Sequence, residues 1–257
     1  MQTKTPASST QPAAAAAISE KPAAWLDVFR NGLGIYTLTI NLAMALHAID
    51  VFITAAVMPK VVKDIGGISF YTWPTTLYMV ASIIGAASNA PLRAILGTRR
   101  AYMLASITFL LGSIGCAVAP SMAVMLLARF LQGWGGGLLI SLSMTLVQSV
   151  YPEHLRKRAL AFISSTWGVA ALLGPAVGGL FAEYGFWRGA FWFNVPIVAI
   201  FMAGAWIKLP RHQADPSGLK APRFPYRRLA LLSLGVCAIG LAGEVYEAMG
   251  LLGLDPT

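Results

Sequence analysis

Charge is scarce in this chain. Lys, Arg, Asp and Glu together make up 11% of 257 residues, less than half the share a soluble domain carries, about 25%. Uncharged runs of roughly membrane-crossing length recur along it, which excludes an ordinary soluble globule. Cysteine is nearly absent as well. Cys116 and Cys237 both lie in apolar runs; they carry no disulfide signal and read as small buried side chains. Metal-ligand spacing is missing too, because His154 and His212 sit in basic loops without Cys or carboxylate companions. No phosphate-cradling loop appears, since "GWGGGLL" lies inside an apolar run rather than between a strand and a helix. These absences argue against an enzyme and against ATP-driven chemistry, and the sequence implies no cofactor and no metal.

What is present is hydrophobicity. Apolar residues make up 57% of the chain, and mean hydropathy is +0.67. A bilayer core about 30 Å thick needs roughly 20 apolar residues per helix. Six runs meet that need: Gly34 to Met58, Trp73 to Leu92, Ala101 to Ala119, Met122 to Val147, Ala159 to Ala182 and Phe191 to Ile207. A seventh, Leu229 to Gly243, is shorter and is closely followed by Glu244 and Glu247. The expected fold is therefore an all-α polytopic membrane protein. It divides into a disordered cytoplasmic tail (1–22), an interfacial helix (23–31) with Trp25, Leu26 and Phe29 on one face, and a six-helix bundle (32–209). A Pro- and basic-rich cytoplasmic linker (210–228) and a seventh hydrophobic segment (229–257) follow.

The net charge of +9 reads as topology rather than as nucleic-acid binding. With odd spans running outward, nearly every Lys and Arg falls on the side of the N-terminus. Only Lys60, Lys63 and Arg188 fall on the other side, and Arg129 lies within a span. The positive-inside rule then puts the N-terminus in the cytoplasm. No soluble segment offers a basic surface with interleaved aromatics, so nucleic acid is not an expected partner.

Topology gives the charged residues a depth. Asp50 lies eight residues before Met58, about 12 Å from the outer end of its span, and Arg129 lies seven residues past Met122, about 10 Å deep. The two share a level. One turn further in, His47 and Gln132 also match in depth and lie on the same helical faces as the charges. Intramembrane ionisable groups are costly, so they pair, face water, or carry protons and ions. Two roles fit this cluster: a buried pair that only locks two helices, and a proton-exchanging carboxylate. In the second role either Asp50 or His47 could titrate.

At this point the residues resemble a family. "AIDVFITAAVMP", which contains Asp50 and ends in Pro59, is similar to the first-helix motif of drug/proton antiporters of the major facilitator superfamily. "RFLQGWGGG" (Arg129, Gln132, Gly133, Gly137) resembles the superfamily's fourth-helix motif, and "GPAVGG" (Gly174, Pro175, Gly178, Gly179) resembles its fifth-helix antiporter motif. "WRGAFWFNVPI", with Trp187, Arg188, Asn194 and Pro196, resembles a stretch typical of the fourteen-span branch. In "APLRAILGTRR" the family's loop between helices two and three keeps Gly97, Arg99 and Arg100 but has Ala90 and Ala94 where the family has glycine and aspartate.

The resemblance covers an N-terminal half. It implies proton-coupled export of small, hydrophobic or cationic compounds such as drugs, in a cell membrane of bacterial inner-membrane type. Asp50, Arg129, His47 and Gln132 would couple protons. Gly97, Arg99, Arg100 and the glycines and proline of the fifth helix would serve gating. Expected partners are the lipid bilayer, a small-molecule substrate, protons, and a second transporter half or a second copy, because repeat-built transporters bind substrate between halves. Gly133 with Gly137 and Gly174 with Gly178 leave smooth grooves for close helix approach, and Pro175 should kink the fifth span. Trp187 and Arg188 read as interface anchors. Competing readings are a sugar or organic-acid carrier of the same superfamily and a non-transporting membrane scaffold.

Overall fold

The computed structural model describes residues 25–30 and 32–209, with isolated helical positions between 227 and 242. The tail, most of the linker and nearly all of the seventh segment lie outside the described residues. Among the described residues up to 209, eight α-helices follow a 3-10 turn at Trp25–Phe29: α1 Gly34–Ile65, α2 Trp73–Ala87, α3 Asn89–Leu96, α4 Thr98–Ala117, α5 Met122–Val150, α6 Glu153–Glu183, α7 Trp187–Trp192 and α8 Asn194–Lys208. No strand occurs among the described residues. Among the described residues five stretches are long and apolar enough to cross a membrane, Trp187–Ile207 counting as one, and six if the bent pair α2–α3 is also a single span.

Prolines account for most of the differences from the six expected runs. The first helix does not end near Met58; it continues through Pro59 to Ile65. A proline inside a helix forfeits one backbone bond, but Val61 and Val62 beyond it are buried with Val57, Met58 and Met125 in an apolar cluster, and that packing carries the helix on. The second span is not one helix to Leu92. It breaks at Ser88, where the two parts bend by 49°. Pro91, in the first turn of α3, has no N–H to offer the carbonyl of Ala87; at the break the Ser88 hydroxyl donates back to the carbonyl of Ile84 at 2.7 Å. Pro196 does the same one turn into α8, where Phe193 separates α7 from α8. In contrast, Pro175 sits inside a single continuous α6. The interfacial segment is a 3-10 turn, and its Trp25 and Phe29 rings meet Phe162 edge-on at 5.9 and 5.5 Å.

Helix packing follows small residues. α2 packs on α5 and α1 on α6, while α4 packs on α5 and α8. A side chain at Gly133 would run into the Tyr78 backbone, and one at Gly137 into the Ser82 carbonyl; α2 thus lies directly on the glycine face of α5. Gly174 and Gly178 meet Phe52, Ile53 and Ala56 of α1 in the same way, whereas Gly179 faces open space. At Gly97 the chain takes φ +76° between α3 and α4, a conformation that glycine adopts without strain.

The interior is layered. One apolar cluster gathers Ile40, Met44, Tyr102, Phe109, Leu138 and Phe201; a second gathers Ile53, Val57, Met125, Trp187 and Phe191. On α1, α4, α5 and the α7–α8 pair alike, the residues between these two clusters are polar and buried: Asp50, Ser113, Arg129, Gln132 and Asn194.

Gly133→Val and Gly137→Val should each force α2 away from α5 and lower stability by about 2 kcal/mol or more. Gly179→Ala, in open space, should leave it unchanged or slightly raised. Denaturation midpoints of the purified chain in mild detergent check this.

Candidate functional site

The polar layer is organised around one carboxylate. Asp50, midway along α1, is fully buried. Its Oδ2 accepts a hydrogen bond from Arg129 Nη1 of α5 at 2.7 Å, and its Oδ1 accepts from Gln132 Nε2 at 2.7 Å and from Asn194 Nδ2 of α8 at 2.8 Å. Three donors from two helices therefore converge on a single aspartate. Arg129 and Gln132 are three residues apart, so one helical face presents both, and Asn194 reaches the site because the break at Phe193 starts α8 at that level.

The donors are themselves held. Gln132 Oε1 accepts from Arg129 Nη1 at 2.6 Å, and Gln132 Nε2 also donates to Ser113 Oγ at 2.7 Å. The Cys116 thiol lies 3.7 Å from Gln132 Oε1 as a weak donor. Arg129 Nε donates to the Pro74 carbonyl at 3.4 Å. Asn194 Oδ1 is buried without a hydrogen-bond partner. Its amide is turned so that the NH2 serves the carboxylate, and the stranded carbonyl is the cost of that orientation.

Tyr78 forms the other wall. The Arg129 guanidinium lies 4.1 Å from the centre of its ring, a cation–π contact in a dry setting. Its hydroxyl shares a 2.8 Å hydrogen bond with His47 Nδ1. His47, buried on α1, then meets the Trp167 ring of α6 edge-on at 5.9 Å. The sequence placed His47 one turn further in than Asp50, on the same helical face. The structure gives it no hydrogen bond to Asp50 and links it to Arg129 through Tyr78.

Of the residues singled out in the sequence, Asp50, Arg129 and Gln132 form the centre. Asn194, read as part of a motif, donates to Asp50 directly. Tyr78, Ser113 and the Pro74 carbonyl carry no charge to mark them in the sequence, and Cys116 reads there only as a small buried side chain. Tyr78 and Ser113 do lie at the matching level of their spans, and a depth comparison extended to uncharged polar residues would have found them.

The remaining motif residues lie elsewhere. Arg99 stacks on Trp206 of α8 at 3.9 Å, and Arg100 is exposed. Trp187 and Arg188, read as interface anchors, are also tied into the bundle. Trp187 is buried, and both side chains donate to Asp64 at the end of α1, at 3.1 and 2.5 Å. Among the described residues no group of three or more His, Cys, Asp or Glu could hold a metal ion.

Chemically, this is an ionisable group and its counter-ion sealed between two apolar layers, a setting in which unpaired polar groups are costly. Comparison with known proteins places the arrangement in context. The probable multidrug-efflux transporter Rv1634 of Mycobacterium tuberculosis (strain H37Rv) is 34% identical over 235 residues, covering 89% of this chain and 50% of that protein. The multidrug transporter protein MdtP of Bacillus subtilis (strain 168) is 32% identical over 165 residues, covering 63% and 30% respectively. The chain spans about half the length of the first of these curated relatives and about a third of the second. A solved D-xylose–proton symporter superposes with a TM-score of 0.63 at 16% identity, over 85% of this chain and 55% of that one; the likeness there is of fold alone. The family model described as Major Facilitator Superfamily matches residues 40–246, a stretch that takes in Asp50, Arg129, Gln132 and Asn194. With that match running through the buried cluster and the helical membrane fold around it, the chain belongs to the Major Facilitator Superfamily, a family of membrane transporters rather than enzymes.

Proposed function

We propose that this chain is the N-terminal half of a proton-coupled exporter of small hydrophobic or cationic compounds, seated in a bacterial cell membrane with its N-terminus in the cytoplasm. The observation that carries the reading is the fully buried Asp50 held by Arg129, Gln132 and Asn194. Relatives named as multidrug-efflux transporters support export as the direction.

The coupling follows from charge balance. With Asp50 ionised, the pair is neutral and all three donors are used. Protonation removes the Coulombic partner of Arg129 and turns one acceptor oxygen into a donor, so the Gln132 and Asn194 amides must rearrange. α1, α5 and α8 would then prefer a different relative position. A substrate that does the same work from the other side exchanges for the proton. Tyr78, under the Arg129 guanidinium and bonded to His47, extends the network toward Trp167 of α6. That helix packs against α1 along its glycines and leaves Leu172, Leu173 and Leu180 exposed. A second half, or a second copy, would complete the substrate path beside these helices.

Efflux of a fluorescent cationic dye from energised, efflux-deficient bacteria is the direct test. Cells carrying the chain together with its complementary half should expel the dye in a way that an uncoupler abolishes. Asp50→Asn should cut that efflux at least about tenfold without loss of membrane insertion. Insertion with undiminished efflux in Asp50→Asn would overturn proton coupling at this residue.

A second expectation concerns the pair itself. Arg129→Gln leaves a buried carboxylate uncompensated and should destabilise the chain by about 3–5 kcal/mol, whereas Asp50→Asn combined with Arg129→Gln should recover much of that loss. Denaturation of the purified variants in detergent measures both, and efflux should stay lost in the double variant.

A further inference from the structure

The end of the bundle where α1 finishes is poor in cations, yet those present converge. Among the described residues Lys60, Lys63 and Arg188 are the basic side chains at this end, and all three line one depression of about 300 Å³ with Asp64, Gly185 and Trp187. Lys60 precedes Asp64 by four residues on α1, the spacing of an ordinary helical ion pair. The carboxylate is taken by others. Asp64 Oδ2 accepts from Arg188 Nη1 at 2.5 Å and from Trp187 Nε1 at 3.1 Å, and Arg188 Nη2 donates to the Ala119 carbonyl at 3.1 Å. Arg188 also stacks on Trp187 at 4.2 Å. This node ties the end of α1 to the α4–α5 turn and the start of α7, and it neutralises Asp64.

Lys60 and Lys63 are thus left exposed and without an ion-pair partner among the described residues. They contribute unbalanced positive charge to a depression with an indole wall. Tyr184 and Phe186, on either side of Gly185, are exposed, as aromatic residues are at the boundary between headgroups and acyl chains.

We infer that this depression binds the phosphate of an anionic phospholipid headgroup, with Lys60 and Lys63 supplying the charge and the Asp64–Arg188–Trp187 node holding the shape. Lysines near a membrane surface draw anionic lipid strongly enough for two to produce a measurable preference. The flanking aromatics favour a lipid over a free anion.

Native mass spectrometry of the full chain released from detergent, titrated with phosphatidylglycerol or phosphatidylcholine, tests this. The wild type should bind phosphatidylglycerol about tenfold more tightly or better. Lys60→Gln with Lys63→Gln should abolish the preference, and Lys60→Arg with Lys63→Arg should keep it, while Asp64 and Arg188 remain untouched in both. Retention of the preference in the glutamine variant would overturn the site. Full displacement of the lipid by millimolar inorganic phosphate would overturn the lipid in favour of a free anion.

Discussion

Burying an aspartate beside an arginine between two apolar clusters constrains everything around it. An isolated charge there costs several kcal/mol, so Asp50 requires a counter-ion and its remaining lone pairs require donors. Arg129 meets the first need; Gln132 and Asn194 meet the second. Each of those groups must then be satisfied in turn, which draws in Ser113, the Pro74 carbonyl and the Tyr78 ring. The polar layer consequently reaches α1, α2, α4, α5 and α8. The two apolar clusters on either side of it exclude water and keep the pair strong.

The same constraint explains where the backbone is broken. α7 and α8 are nearly collinear enough to count as one span, yet the missing donor of Pro196 releases the chain at Phe193, and the new helix begins with the amide that Asp50 uses. A regular helix would fix Asn194 by the phase of the preceding turns. A break lets its position be set by the carboxylate. Packing on α5 is held by a different means, since Gly133 and Gly137 allow the backbones of α2 and α5 to touch and so bring Tyr78 under Arg129.

Much of this was legible in the sequence, for physical reasons that can be named. Spans are visible because lipid demands long uncharged runs. Asp50, Arg129 and Gln132 are visible because charges inside such runs are rare and topology converts residue number into depth. Depth and face do not give a side chain's partner: His47, one turn further in than Asp50, bonds to Tyr78 rather than to the carboxylate. Tyr78 and Ser113 carry no signal of their own, because hydroxyl groups are common in membrane helices and only a neighbour's need makes one of them part of a site. Helix ends were misread wherever proline acted. Pro59 yields to the burial of Val61 and Val62, while at Pro91 and Pro196 the helix breaks. Hydropathy cannot tell these cases apart, since the deciding term is long-range packing.

The two aspartates of α1 show how depth sets the use of the same chemistry. Asp50 and Asp64 are fourteen residues apart on one helix, each pairs with one arginine, and each accepts from a further N–H donor. At Asp64 solvent reaches both partners, so separating them costs little and the pair acts by holding three turns together. At Asp50 both partners are buried and separating them is costly, so the pair holds α1 firmly against α5. That hold reaches three elements because the carboxylate lies on α1, the guanidinium and one amide on α5, and the other amide on α8.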